Sequence, residues 1–266
     1  MSFLALDAPT VAVAWSWFVA RESGHPADPV LLVIVGLSVW LAYMADRLLD
    51  ARRLVMTAET VKPDAAKYPG SLPTRRHAFA MLYRSRLAVV WFVVLLVDVA
   101  LAAGILSGAA LVAGCCIVLL AAVTLGCRLR ASVIGVVVRS LLIGAAFASA
   151  VAITIDPELL SRVAPALAAF AALCAANVTS VARWERGLQD GVDIPLLRSR
   201  IPVTMTASAL VVAIIVWHIT GSIPALGAGI AALLLLSLHA ASRRLGTDAL
   251  RLCADACLVV PLVLLS

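Results

Sequence analysis

Nine stretches of this chain carry so many aliphatic residues and so few charges that a lipid bilayer is the solvent that suits them. A hydrocarbon core of about 30 Å is crossed by roughly 20 apolar residues in helix, and the backbone there must satisfy its own hydrogen bonds. The stretches lie near 8–20, 28–45, 87–107, 108–126, 132–154, 160–181, 203–219, 223–241 and 249–265. They predict an all-α integral membrane protein, one transmembrane domain over 1–266 with nine spans. Composition agrees: 63% of the residues are hydrophobic, against roughly 45–50% in a soluble domain. The first stretch is the shortest and follows Asp7. It does not read as a secretory signal, because its first basic residue, Arg21, comes after the apolar run.

Lysine and arginine stay on the cytoplasmic side of membrane proteins, so their distribution orients the chain. The loop 46–86 holds Arg47, Arg52, Arg53, Lys62, Lys67, Arg75, Arg76, Arg84 and Arg86. The alternate loops hold Arg128 and Arg130, then Arg183, Arg186, Arg198 and Arg200, then Arg243 and Arg244, while the intervening loops have only Arg21 and Arg162. This predicts a cytoplasmic N-terminus and an external Ser266, with a bacterial inner membrane as the expected setting. The net charge of +6 is thereby placed on one face, where anionic lipid accounts for its sign. The bilayer is one expected partner, and nucleic acid is not one. The six cysteines lie in or beside apolar segments without a Cys-x-x-Cys pair and read as small core residues.

Ionisable groups are costly inside membranes and mark function there. Asp46 and Asp50 stand four apart, on one helix face, where like charges repel by about 0.2–0.5 kcal/mol. A cation between them would relieve this. Glu185 closes the sixth helix, with Asp190 and Asp193 in the loop beyond, and Asn177 would share its face. On these boundaries the loops 46–86 and 182–202 are long enough to cap a site. Thr74 to Arg86 reads as a basic amphipathic helix after a Pro69–Pro73 turn. Carboxylates from two helices ringed by arginines would suit magnesium bridging to a phosphorylated ligand. Plainer readings stand beside this one. Asp50 pairs with Arg53 on the surface, Arg139 pairs with Asp255 at similar depth, and Trp40, Tyr43, Trp91 and Trp184 are packing or interface anchors. Asp98, in the third span, is either protonated or paired with a group the sequence does not identify.

With these residues the chain resembles the UbiA-type intramembrane prenyltransferase superfamily over essentially its whole length. The resemblance implies nine helices around a central cavity. It also implies an Asn-x-x-x-Asp-x-x-x-Asp motif and a second acidic motif that hold Mg2+ on an isoprenyl diphosphate, whose allylic cation is attacked by a lipophilic acceptor. Carried over, Asp46 and Asp50 match the first motif, and Glu185 with Asp190 or Asp193 resembles the second. Arg47, Arg53, Arg76, His77, Arg128, Arg130, Arg139, Asn177 and Tyr43 become candidate substrate contacts. The chain departs from the pattern at Ala42, where the first motif has Asn, and at Gln189, where the second would have Asp. The alternatives are a membrane terpene cyclase and a non-catalytic binder of isoprenoid or quinone lipids. A transporter is less expected, because its site would lie near the midplane.

Overall fold

The computed structural model describes residues 6–60, 82–126, 133–186 and 200–266, with the backbone alone at 50–60, 125–126, 133 and 185–186. Nine α-helices run through the described residues: α1 (Asp7–Glu22), α2 (Pro29–Thr60), α3 (Arg84–Ile105), α4 (Gly108–Gly126), α5 (Val133–Ala152), α6 (Leu160–Arg186), α7 (Ile201–Thr220), α8 (Ile223–Ala241) and α9 (Thr247–Leu265). Short 3-10 turns, Pro157–Leu159 and Ser242–Arg244, precede α6 and α9. Six helices are long and apolar enough to cross a membrane: α2 as far as Leu49, α3, α5, α6, α7 and α8. The 16-residue α1, the apolar α4 and the charge-bearing α9 complete the bundle.

Local chemistry sets most of these ends. The Asp28 carboxylate accepts from the Val30 amide at 2.8 Å, one of the orphan donors that a helix start leaves, and Pro29 supplies a fixed φ at the first helical position. α7 ends at Gly221 in the left-handed region, φ 65°, with its amide bonded to the Trp217 carbonyl. Pro224 then opens α8. One boundary departs from expectation: α2 does not stop at 45 but continues to Thr60. The predicted loop 46–86 is therefore helical over its first part, and the cap it was expected to form is shorter by that stretch. Thr74 to Met81 lie outside the described residues.

α6 is the hub, packing against α5, α7, α8 and α9. Lipid gives helices no hydrophobic reason to associate, so close contact between small residues carries more of the packing. Ala225, Ala228, Ala231 and Ala232 of α8 and Ala169, Ala175 and Ala176 of α6 are fully buried accordingly. α5 comes nearest to α6 at Gly144, where an added Cβ would collide with the Ala171 carbonyl oxygen. A backbone atom cannot swing aside, so Gly144→Ala is expected to cost about 1–3 kcal/mol. Gly104→Ala meets nothing within 4 Å and is expected to change stability by less than about 0.5 kcal/mol. Unfolding in detergent by added denaturing surfactant compares the two, and equal midpoints would refute the close crossing.

α1 wedges into this core. Trp15, fully buried, stacks on Phe170 of α6 with ring centroids 4.3 Å apart and planes at 25°. Its Nε1 donates to the Leu258 carbonyl of α9 at 3.0 Å, and Arg21 donates to the Ser266 carbonyl at 2.9 Å. α3 and α4 lie at the periphery, with Leu96, Val97, Val112, Val118 and Leu119 exposed as lipid-facing side chains would be. α3 is held to α2 by Trp91, whose Nε1 donates to the Leu41 carbonyl at 2.8 Å. A second tie is Ser38, whose hydroxyl donates to Asp98 at 2.7 Å. Ser38 is thus the partner of Asp98 that the sequence left unidentified.

Candidate acid and arginine site

Asp46 sits in the last turn of the apolar part of α2, which ends at Leu49, and Asp50 follows one turn later. The two aspartates therefore straddle the end of the apolar segment and not the end of the helix, which runs on to Thr60. Tyr43, Asp46, Arg47 and Asp50 occupy neighbouring positions along one side of α2, given the 3.6-residue repeat. Arg47 is buried and its guanidinium lies 5.0 Å from the centroid of the Tyr43 ring, an arrangement attracted by the ring's negative face.

The expected pairing of Arg139 with Asp255 is not what the structure contains. Arg139, on α5, donates from Nη2 to Asp46 Oδ1 at 3.0 Å, joining positions 93 residues apart. The geometric reason is which helices are neighbours. α5 packs on α6 and touches α2, whereas α9 packs on α8, α1 and α6. Asp255 instead faces Asn177, whose Nδ2 donates to its Oδ1 at 3.5 Å. Asn177 thus has a partner outside the residue set predicted from sequence.

Two predicted site residues, Asp46 and Arg139, are in direct contact, and two more, Tyr43 and Arg47, flank them on α2. Glu185 does close α6, which ends at Arg186. The side chains of Asp50, Arg53 and Glu185 lie outside the described residues, as do Arg76, His77, Arg128, Arg130, Asp190 and Asp193 entirely. His239 is bound within the bundle, its Nε2 2.9 Å from Ser180 Oγ and its ring 5.1 Å from that of Trp184. Trp91 and Trp184 thus each make a contact within the bundle, Trp91 with the Leu41 carbonyl and Trp184 with the His239 ring.

Magnesium takes hard oxygen donors, commonly one or two carboxylates plus phosphate oxygens. The Asp46 side chain has that chemistry and is 27% exposed beside Arg139. Asp50, four residues on along the same continuous helix, is a second residue of the same chemistry. No three His, Cys, Asp or Glu side chains converge into a metal group among the described residues.

Earlier on α2, Leu32, Gly36 and Trp40 join Pro9 and Val13 of α1 and Val94 of α3 around an open apolar groove of about 470 Å³. At 100° per residue Trp40 is turned about 120° from Asp46, whereas Leu32, eighteen positions before Asp50, shares its bearing. The groove therefore runs along the Asp50 side of α2, nearer the start of the helix. Sequence reasoning missed a further polar group, formed by Asp7, Arg251 and Asp255 with Asn177. Its signal was the cost of ionisable residues inside apolar stretches, which applies to Asp7 and Asp255 as much as to Asp46. No protein-family model matches this chain, and neither a curated protein nor a solved structure matches it significantly.

Proposed function

We propose that the protein is a magnesium-dependent intramembrane transferase of the UbiA type, with nine spans and its acidic motifs at the cytoplasmic face. It would move an isoprenyl group from an isoprenyl diphosphate to a lipophilic acceptor, aromatic or a quinone precursor. The observation that carries this reading is the contact of Asp46 with Arg139. A first-motif aspartate and a basic residue assigned to diphosphate meet across two helices at the end of an apolar segment.

In this reading Asp46 and Asp50 of α2, and Glu185 of α6 with Asp190 or Asp193 beyond it, would hold Mg2+ on the diphosphate. The ion, when bound, neutralises the diphosphate and makes it a better leaving group. Arg139 rests on Asp46 and can turn its planar guanidinium to phosphate oxygens, as Arg53, Arg76, Arg128 and Arg130 also can. His77 can add a hydrogen bond. The allylic carbon–oxygen bond breaks with its electron pair leaving on the diphosphate. A carbon of the acceptor then bonds to the allylic carbon and releases a proton. Tyr43, with Arg47 over its ring, stands beside the acids as a further candidate contact to the substrate. Measuring diphosphate release from isoprenyl diphosphates of several lengths, with and without magnesium, tests the reading. Release that needs magnesium supports it, and no release from any substrate refutes it.

The apolar groove favours a second reading, in which the chain binds isoprenoid or quinone lipid without turnover. Lipid that stays bound through purification, with no magnesium dependence and no diphosphate release, would select it. Products formed without an acceptor would instead mark a terpene cyclase.

A further inference from the structure

Asp255 lies eight residues into α9, about 12 Å from its start at 1.5 Å per residue, inside the bundle. Four groups meet there from three helices. Asp7, from α1, faces Asp255 within hydrogen-bonding range, and Arg251 lies one turn before it on α9. Asn177 of α6 donates to it at 3.5 Å. Among the described residues, Cys257 is a further titratable neighbour, one half-turn on. From α8, His239 faces Ser180 and Trp184, not Asp255. Trp15 and Arg21 fix α1 along α9 through their bonds to Leu258 and Ser266, so the approach of Asp7 is built into the fold.

Two features of this group call for a ligand. The first is charge: among the described residues, two carboxylates against one guanidinium leave one negative charge, and an uncompensated charge inside a membrane bundle is costly. The second is oxygen left without a donor. Asn177 is 8% exposed, its amide points at Asp255, and its Oδ1 accepts no hydrogen bond from the described residues; Asp7 Oδ1, also buried, accepts none from them either. Two hard oxygens without donors among the described residues, one of carboxylate and one of amide, beside the Asp255 carboxylate and with one charge to neutralise, match one small monovalent cation.

We propose that Asp7, Asn177 and Asp255 form a binding site for a single monovalent cation, a proton or a sodium ion, distinct from the acids of α2. A proton would be shared between the two carboxyl groups, as in other close carboxyl pairs. Sodium would take an oxygen from each of the three residues. Either ion would tie the short α1 to α6 and α9.

A hydrophobic carbodiimide tests this on the purified full chain in lipid nanodiscs, because it modifies a carboxyl group only when that group is protonated and shielded from water. Adduct on Asp7 or Asp255, located by peptide mass spectrometry, is expected at neutral pH. Loss of that adduct at alkaline pH with no effect of sodium identifies the proton. Loss on adding sodium chloride, but not choline chloride, identifies sodium. Asp7→Asn leaves Asp255 balanced by Arg251, so adduct on Asp255 should fall at least about tenfold, the ratio that corresponds to one pH unit. Absence of adduct on both residues in acid and at neutral pH, in sodium-free buffer, overturns the proposal. Adduct that responds to neither pH nor sodium overturns it as well. The arms with the unaltered chain decide the matter even where the variant does not fold.

Discussion

Asp46→Ala is expected to lower magnesium-dependent diphosphate release at least about a hundredfold, the scale of removing one preorganised electrostatic group from a transition state. Its effect on folding should be far smaller. The Asp46–Arg139 pair is partly exposed, 27% and 16% for the two side chains, and such pairs contribute at most about 1 kcal/mol. This difference in scale separates the two roles the contact can have. In a double-mutant cycle of Asp46→Asn and Arg139→Gln, unfolding midpoints report the pair as a structural link. In the charge-swapped variant, Asp46→Arg with Arg139→Asp, an ion pair can re-form and stability should recover. Activity should not, because a guanidinium on α2 cannot hold magnesium. If the swap restores release, or Asp46→Ala releases diphosphate at the original rate, the aspartate is a structural partner of Arg139 and does not hold the magnesium.

How far the sequence foretold these features depends on which force set each one. Helix starts and stops were legible where turn chemistry punctuates them, as at Asp28-Pro29 and Gly221. The end of α2 was not, because hydropathy falls at Asp46 while helix propensity does not. Ala51, Arg52, Arg53, Leu54, Met56, Ala58 and Glu59 are strong helix formers with no Gly or Pro among them, so the helix outlasts its apolar part. An apolar run thus marks where a membrane could end, a different boundary from the helix's own. The acid pair on α2 was legible from spacing alone. Its contact with Arg139 was not, since depth along a helix says nothing about which helix lies alongside. That choice is made by packing, chiefly by the small residues that let α5 approach α6 at Gly144 and bring Arg139 to the α2 side. In the sequence Asp7 merely precedes a short apolar stretch. It gains a partner only once α1 is docked on α9.

That docking rests mainly on Trp15, and Trp15→Ala is expected to have the largest effect on stability of any change considered, about 3–5 kcal/mol. Three losses coincide. The indole is fully buried, so its removal leaves a cavity that the surrounding helices fill only in part. Its stack on Phe170 at 4.3 Å is worth about 0.5–1.5 kcal/mol beyond the area it buries. Its Nε1 no longer donates to the Leu258 carbonyl. Trp15→Phe keeps a ring against Phe170 and loses only the donor and some volume. The Leu258 carbonyl also lies within α9, where it can accept a helical bond, so the cost of the missing donor should stay near the net value of one hydrogen bond, about 0.5–1.5 kcal/mol. The expected order of unfolding midpoints is therefore unaltered chain, then Trp15→Phe, then Trp15→Ala, with the larger gap at the second step. Equal gaps would mean that the hydrogen bond, and not the aromatic packing, holds α1 in place. Because α1 also delivers Asp7, Trp15→Ala should reduce carbodiimide labelling of Asp255 along with stability, whereas Trp15→Phe should leave the labelling intact. Labelling that survives Trp15→Ala would show that Asp7 reaches Asp255 without the wedge.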